Sequence, residues 1–297
     1  MKRYFLPVLL LFLLFLLLSF ELGKSVYKRY YETKVKEEKT TPQVVEIPPV
    51  EPVKKEEVII SSPPGQIPKP VEKKIPLTKP VVEISTQPPA GMVYIPPGEF
   101  IIGSDEGTEF EKPKRKIYLK GYFIDKYEVT NAEYKKFIEA TGHPAPKGWV
   151  DTNYPTGKGN YPVTNVTYAD AETYAKWAGK RLPSEEEWEK AARGVDGRKY
   201  PWGDSRDGTA ANVRMQFKGS SLRPVGSFPK GVSPYGGYDF SGNVWEWTTS
   251  HFDKRYRVIR GGSFLQPAEL ARTSFRDFYE PDKYREDIGF RCVKDVK

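Results

Sequence analysis

"PVTNVTYADAETYAKWAGKRLPSEEEWEKAARG", residues 162–194, decides how the ordered part of this chain is read. It holds two helix starts. In "TYADAETYAKWAG" (167–179) Thr167 or a close neighbour caps the first turn and Gly179 closes the segment. In "SEEEWEKAARG" (184–194) Ser184 and Glu187 form a capping box, and Gly194 ends it. A third helix is expected upstream in "TNAEYKKFIEATG" (130–142). There Thr130 and Glu133 are the box, Tyr134, Phe137 and Ile138 the apolar face, and Gly142 the stop. Around these helices the pattern shortens. "MVYIPPGEFIIGS" (92–104) reads as two β-rich runs flanking a Pro-Pro-Gly turn, and "KIYLKGYFIDKYEVT" (116–130) alternates like strands. Beyond residue 194 the chain becomes rich in Gly and aromatic residues, with short strands and long loops. Few helices among irregular loops indicate an α+β domain over residues 91–297, without a 20–50-residue repeat.

The N-terminal third has a different composition. Lys2 and Arg3 precede an uncharged apolar run from Tyr4 to Phe20. That is the short end of a membrane span, and no small-x-small cleavage site or lipidation cysteine follows. Residues 1–24 are therefore expected to be an uncleaved signal anchor, with residues 4–20 in the cytoplasmic membrane. Residues 25–90 are rich in Pro, Lys and Glu, and no aromatic residue occurs from 33 to 90. A core is not expected there. An extended, disordered linker of this length reaches about 150 Å or more. The reading is a single-pass protein of the inner membrane whose C-terminal domain lies outside the cytoplasm, in the periplasm.

The totals exclude several chemistries. One cysteine, Cys292, permits neither an intrachain disulfide nor a Cys-based zinc site. Two histidines, His143 and His251, do not make a three-His metal site, and both read as loop residues. The net charge of +8 reads as diffuse solvated Lys and Arg, with no nucleic-acid-binding signature. Trp245, Trp247 and Cys292 read as core, and "PWGD" (201–204) as a turn with a buried Trp202.

Seven segments occur together and in order: "MVYIPPGEFIIGS", "DKYEVTNAEYKKFI", the 162–194 stretch, "YPWGD", "GNVWEWT", "RVIRGGSF" and "IGFRC". In this the chain resembles the formylglycine-generating, or sulfatase-modifying factor, family over roughly residues 91–295. The resemblance implies a C-type-lectin-like fold with little regular structure. It also implies two copper(I)-binding cysteines just after the Gly-Gly-Ser turn, because soft thiolates select that ion. In "GGSFLQPAELARTSFR" (261–276) those positions are Gln266 and Ala271. Ser263 stands at the family's site serine, but without a neighbouring base it is not an activated nucleophile. The site is thus expected to be degenerate, and no copper is expected.

The resemblance implies calcium instead. In "YGGYDFSGNVWEW" (235–247) it places oxygen ligands at the carboxylates of Asp239 and Glu246 and the carbonyls of Phe240, Gly242 and Val244, a hard-oxygen set. The alternative is that Asp239 caps a turn and Glu246 pairs with an arginine. A second calcium site would begin at Asn212 and Val213 but lacks its closing acid. The functional expectation is a membrane-anchored, noncatalytic module, a pseudoenzyme, that binds an envelope ligand or protein partner. Two alternatives stay open. One is an oxidoreductase of the same family using a non-cysteine site. The other is a diversified ligand-display protein, for which "FRDFYEPDKYRED" (275–287) has suitable Tyr, Asp and Arg content.

Overall fold

The computed structural model describes residues 87–214 and 221–296. The expected anchor and nearly all of the expected linker lie outside the described residues. Among the described residues no helix is long and apolar enough to cross a membrane.

The described residues open with strands β1 (Met92–Ile95), β2 (Gly98–Ile102), β3 (Arg115–Leu119) and β4 (Tyr122–Asp125). Three helices follow: α1 (Asn131–Thr141), α2 (Tyr168–Trp177) and α3 (Glu185–Arg193). Each carries a reciprocal capping box, Thr130 with Glu133, Thr167 with Asp170, and Ser184 with Glu187. The C-terminal part supplies β5 (Trp245–His251), β6 (Arg257–Arg260), β7 (Arg276–Tyr279), β8 (Ile288–Gly289) and β9 (Val293–Asp295). The strands form a three-stranded sheet β1-β4-β9, a β2-β3 hairpin and a four-stranded sheet β7-β6-β5-β8. In the last, β5 and β8 run parallel and the other pairs antiparallel. The mixture of short strands, three helices and long loops is the α+β architecture expected.

One core cluster joins the apolar faces of α1 and α2 to Trp245, Trp247, Phe290 and Cys292, all four fully buried. A second packs Trp188, Ala191 and Ala192 of α3 against Ile95, Tyr122, Ile124 and Phe240. The two tryptophans and the cysteine are therefore core, as their types suggest. Burial pushes the Cys292 thiol well above its ordinary range. Helix α3 also carries buried charge. Glu189 receives Arg193 Nη1 at 2.6 Å, pairs with Arg260 Nη2 and accepts the Gly103 N–H at 2.8 Å. Arg260 in turn donates to the carbonyls of Thr273, Ser274 and Phe275 at 2.9–3.0 Å. The end of β6 is thereby tied to both α3 and the start of β7, and the turn that follows β6 is held in place.

Candidate functional site

That turn is Gly261–Gly262, with φ of 98° and 75°, a region that L side chains rarely enter. A Cβ on Gly262 would lie 2.9 Å from the Leu270 carbonyl oxygen and 3.0 Å from Ala271 Cα. Only a glycine lets the short 3-10 segment Ala268–Ala271 come so close. Ala271 is buried there, and its carbonyl accepts the Ser241 hydroxyl at 2.6 Å. Gln266 closes the loop through its backbone, donating N–H to the Ser263 carbonyl and accepting from Arg214 N–H at 2.8 Å. Both positions that the resemblance assigns to copper thiolates thus fall on an ordered wall. One holds a methyl group and the other an amide.

Ser263 differs from its expected isolation. Its hydroxyl donates to Asp287 Oδ2 at 2.6 Å and accepts the Leu265 N–H at 3.2 Å. A carboxylate does stand beside it, from 24 residues further along the chain. Arg285 is paired to the same Asp287, and Ser263 is fully buried. The group pins the turn and offers no hydroxyl to solvent.

Against the Ala271 wall lies a cavity of 390 Å³. Its apolar lining includes Ala211, Val213, Ala271 and Trp202, while Arg206, Asp207, Arg214 and Glu269 bring charge to it. Arg206 and Glu269 form an ion pair. Trp202 corrects the sequence reading. The turn is formed, but the buried ring is Tyr200, on which Trp202 stacks at 5.0 Å between centroids and 7° between planes. Trp202 itself is half-buried and lines the cavity, its indole N–H donating to the Ser205 carbonyl.

The five residues of the expected calcium set differ in their contacts. Asp239 and Asn243 sit in the left-handed region, at φ 60° and 61°, at either side of the Phe240–Gly242 loop. Among the described residues no hydrogen bond is made to the carbonyls of Phe240, Gly242 or Val244, although all three residues are buried. Buried carbonyls normally find a partner, so these fit a hard cation. Asp239 fits as well: one of its oxygens accepts the Gly226 N–H at 2.6 Å, and burial pushes its carboxyl up to about 6. Glu246 departs from the expectation. Its oxygens accept Arg291 Nε and Nη2, each at 2.7 Å, and Trp188 Nε1 at 2.8 Å. The arginine alternative describes this geometry. Glu128, which no motif singled out as a ligand, is fully buried beside Asp239, and desolvation together with that carboxylate raises its own pKa strongly. Both its oxygens accept from Asn243 Nδ2, at 3.1 and 3.2 Å. Among the described residues, no three His, Cys, Asp or Glu side chains are arranged to hold a metal ion by themselves.

The remaining candidates are structural. Asn212 Nδ2 donates to the Ser221 carbonyl and to Asn243 Oδ1, both at 3.0 Å, which joins its loop to the Gly242 turn. His143, a loop residue, has a partner that its sequence neighbours did not reveal. Its Nε2 lies 2.9 Å from Asp170 Oδ1, the carboxylate that caps α2.

The match to known proteins covers this whole arrangement. The sulfatase-modifying factor enzyme 1-like domain matches residues 78–296. The chain belongs to the sulfatase-modifying factor family. Among its relatives is an inactive C-alpha-formylglycine-generating enzyme 2 from Mus musculus, 34% identical over 269 residues, with 70% of this chain and 86% of the relative covered. A formylglycine-generating enzyme from Streptomyces coelicolor is 32% identical over 284 residues, covering 69% of this chain and 90% of the relative. Among solved structures, PvdO from Pseudomonas aeruginosa superimposes with a TM-score of 0.59 at 26% identity, over 69% of this chain and 94% of that one. Identity to the inactive relative and to the formylglycine-generating enzyme is thus nearly equal.

Proposed function

We propose that this member of the sulfatase-modifying factor family is a noncatalytic binding module, and that the cavity beside Ala271 is where it holds an envelope ligand or protein segment. The observation that carries this reading is Ala271 itself. It is buried against Gly262 and brings no donor atom to the position where copper chemistry needs a thiolate. The surrounding wall is otherwise intact, fastened by Arg260, Ser263 and Asp287. Stacked aromatic rings and a few charged groups around a preformed apolar hollow are typical of a recognition site. In this reading residues 4–20 anchor the chain in the inner membrane, residues 25–90 act as the spacer, and the domain is displayed in the periplasm. Calcium held by the carbonyls of Phe240, Gly242 and Val244 with Asp239 would steady the loop that backs the wall. Glu246 contributes there through Arg291.

The test uses the purified full chain in detergent. Copper content is measured by mass spectrometry after exposure to copper(I), and cysteine-containing peptides are assayed for formylglycine by peptide mass. The expected outcome is no stoichiometric copper and no aldehyde product, with ligands recovered by the parent but not by a Trp202→Ala variant. Stoichiometric copper or iron together with oxidised peptide would overturn the noncatalytic reading in favour of an oxidoreductase with a non-cysteine site.

A further inference from the structure

A second cleft, of 260 Å³, shares no lining residue with the Ala271 cavity. It lies where residues 147–149 and 155–165 meet the start of α1, with Leu222 also in its lining. Its frame is preformed. The backbone N–H groups of Asn131 and Ala132 donate to the carbonyls of Tyr161 and Gly159, and Asn131 Nδ2 donates to the Lys158 carbonyl at 2.9 Å. Half-buried Trp149 and Tyr161 supply aromatic surface.

Two lysines line this cleft, Lys147 and Lys158, and no acidic residue does. Among the described residues neither lysine makes an ion pair. Lys158 Nζ instead lies 3.8 Å from the Tyr161 ring centroid, and Lys147 Nζ lies 5.8 Å from that of Tyr284. An aromatic ring positions an ammonium without neutralising it, so both cations keep their charge for a ligand. Half-buried Thr164 and Asn165 add uncharged hydrogen-bonding groups to the same lining.

An aromatic platform, uncharged polar groups and two unneutralised cations form one chemical template. It fits a rigid ring with an apolar face, hydroxyl groups and a carboxylate. The volume is just below the roughly 300–1,000 Å³ of drug-sized sites, which suits one ring at a time. We propose that this cleft binds an acidic sugar of the uronate type, with its carboxylate between Lys147 and Lys158 and its ring against Trp149. An acidic peptide matches the lysines but has no rigid hydroxylated ring to meet Trp149, Thr164 and Asn165.

The experiment is calorimetric titration of the full chain in detergent with three probes of similar length: an oligogalacturonate, a neutral maltooligosaccharide and a poly-glutamate peptide. The oligogalacturonate is expected to bind and the other two are not. A Lys147→Gln, Lys158→Gln double variant should bind the oligogalacturonate roughly tenfold more weakly, the loss of two solvent-exposed charge contacts, at an unchanged melting temperature. Absent oligogalacturonate binding would overturn the proposal. So would equal binding of the neutral sugar or of poly-glutamate, or an unchanged affinity in the double variant. The cleft is separate from the Ala271 cavity, so this result and that of the Trp202→Ala test stand independently.

Discussion

Protons and calcium are expected to compete for Asp239. Burial pushes its carboxyl up to about 6, whereas an unfolded Asp titrates near 3.9. Between roughly pH 4 and pH 6 the cation-free folded state therefore holds a proton that the unfolded state has released. Stability falls as pH rises through that window and stays lowered above it. Two pH units correspond to roughly 3 kcal/mol, which for a domain of this size shifts the melting temperature by about 6–12 °C. Asp239→Asn retains an oxygen for the Gly226 N–H and removes the titration. In chelator, the melting temperature of the variant minus that of the parent should be near zero or negative at pH 4 and should grow by several degrees toward pH 7. Calcium should erase that difference by stabilising the parent, by about 2.7 kcal/mol at a hundredfold excess over its Kd. The assay is differential scanning calorimetry of the full chain from pH 4 to 8, in chelator and in calcium. A variant-minus-parent difference that does not change with pH would refute the burial argument. Superimposable parent curves with and without calcium would refute the cation.

Glu189→Gln leaves Arg193 and Arg260 buried without their shared counter-charge, and should cost about 3–5 kcal/mol in urea denaturation. Gly262→Ala forces a side chain into a backbone at φ 75°, with its Cβ 3.0 Å from Ala271 Cα. A loss of about 1–3 kcal/mol is expected from the backbone strain, again read by denaturation, and the Ala271 wall should shift. The pair Gln266→Cys and Ala271→Cys places two thiols on that wall. If the wall keeps the family's geometry, this variant should take up one equivalent of copper(I) by mass spectrometry, where the parent takes up none.

The helices were legible because each start is a local event. Thr130 and Glu133 lie three residues apart and cap each other whatever the rest of the chain does, and Ser184 with Glu187 repeats the device. The buried ionic framework was not, since Arg260 meets Glu189 across 71 residues and no spacing rule announces that pairing. Trp202 was misread for a related reason. "PWGD" specifies a turn, but that Tyr200 is the buried ring and Trp202 the half-buried one, packed against Ala211, Val213 and Ala271, shows only in the fold. Glu246 makes the distinction sharpest. A carboxylate beside free carbonyls satisfies a calcium pattern in one dimension, and Arg291, 45 residues later, claims both its oxygens in three. The absence of a ligand atom is easier to read from a sequence than the assembly of a binding site. Residue type alone reports that Gln266 and Ala271 bring no sulfur to the two positions where the resemblance implies thiolates. The proposed cleft needs Lys147, Trp149 and Lys158 in one lining, and only the folded chain places them there.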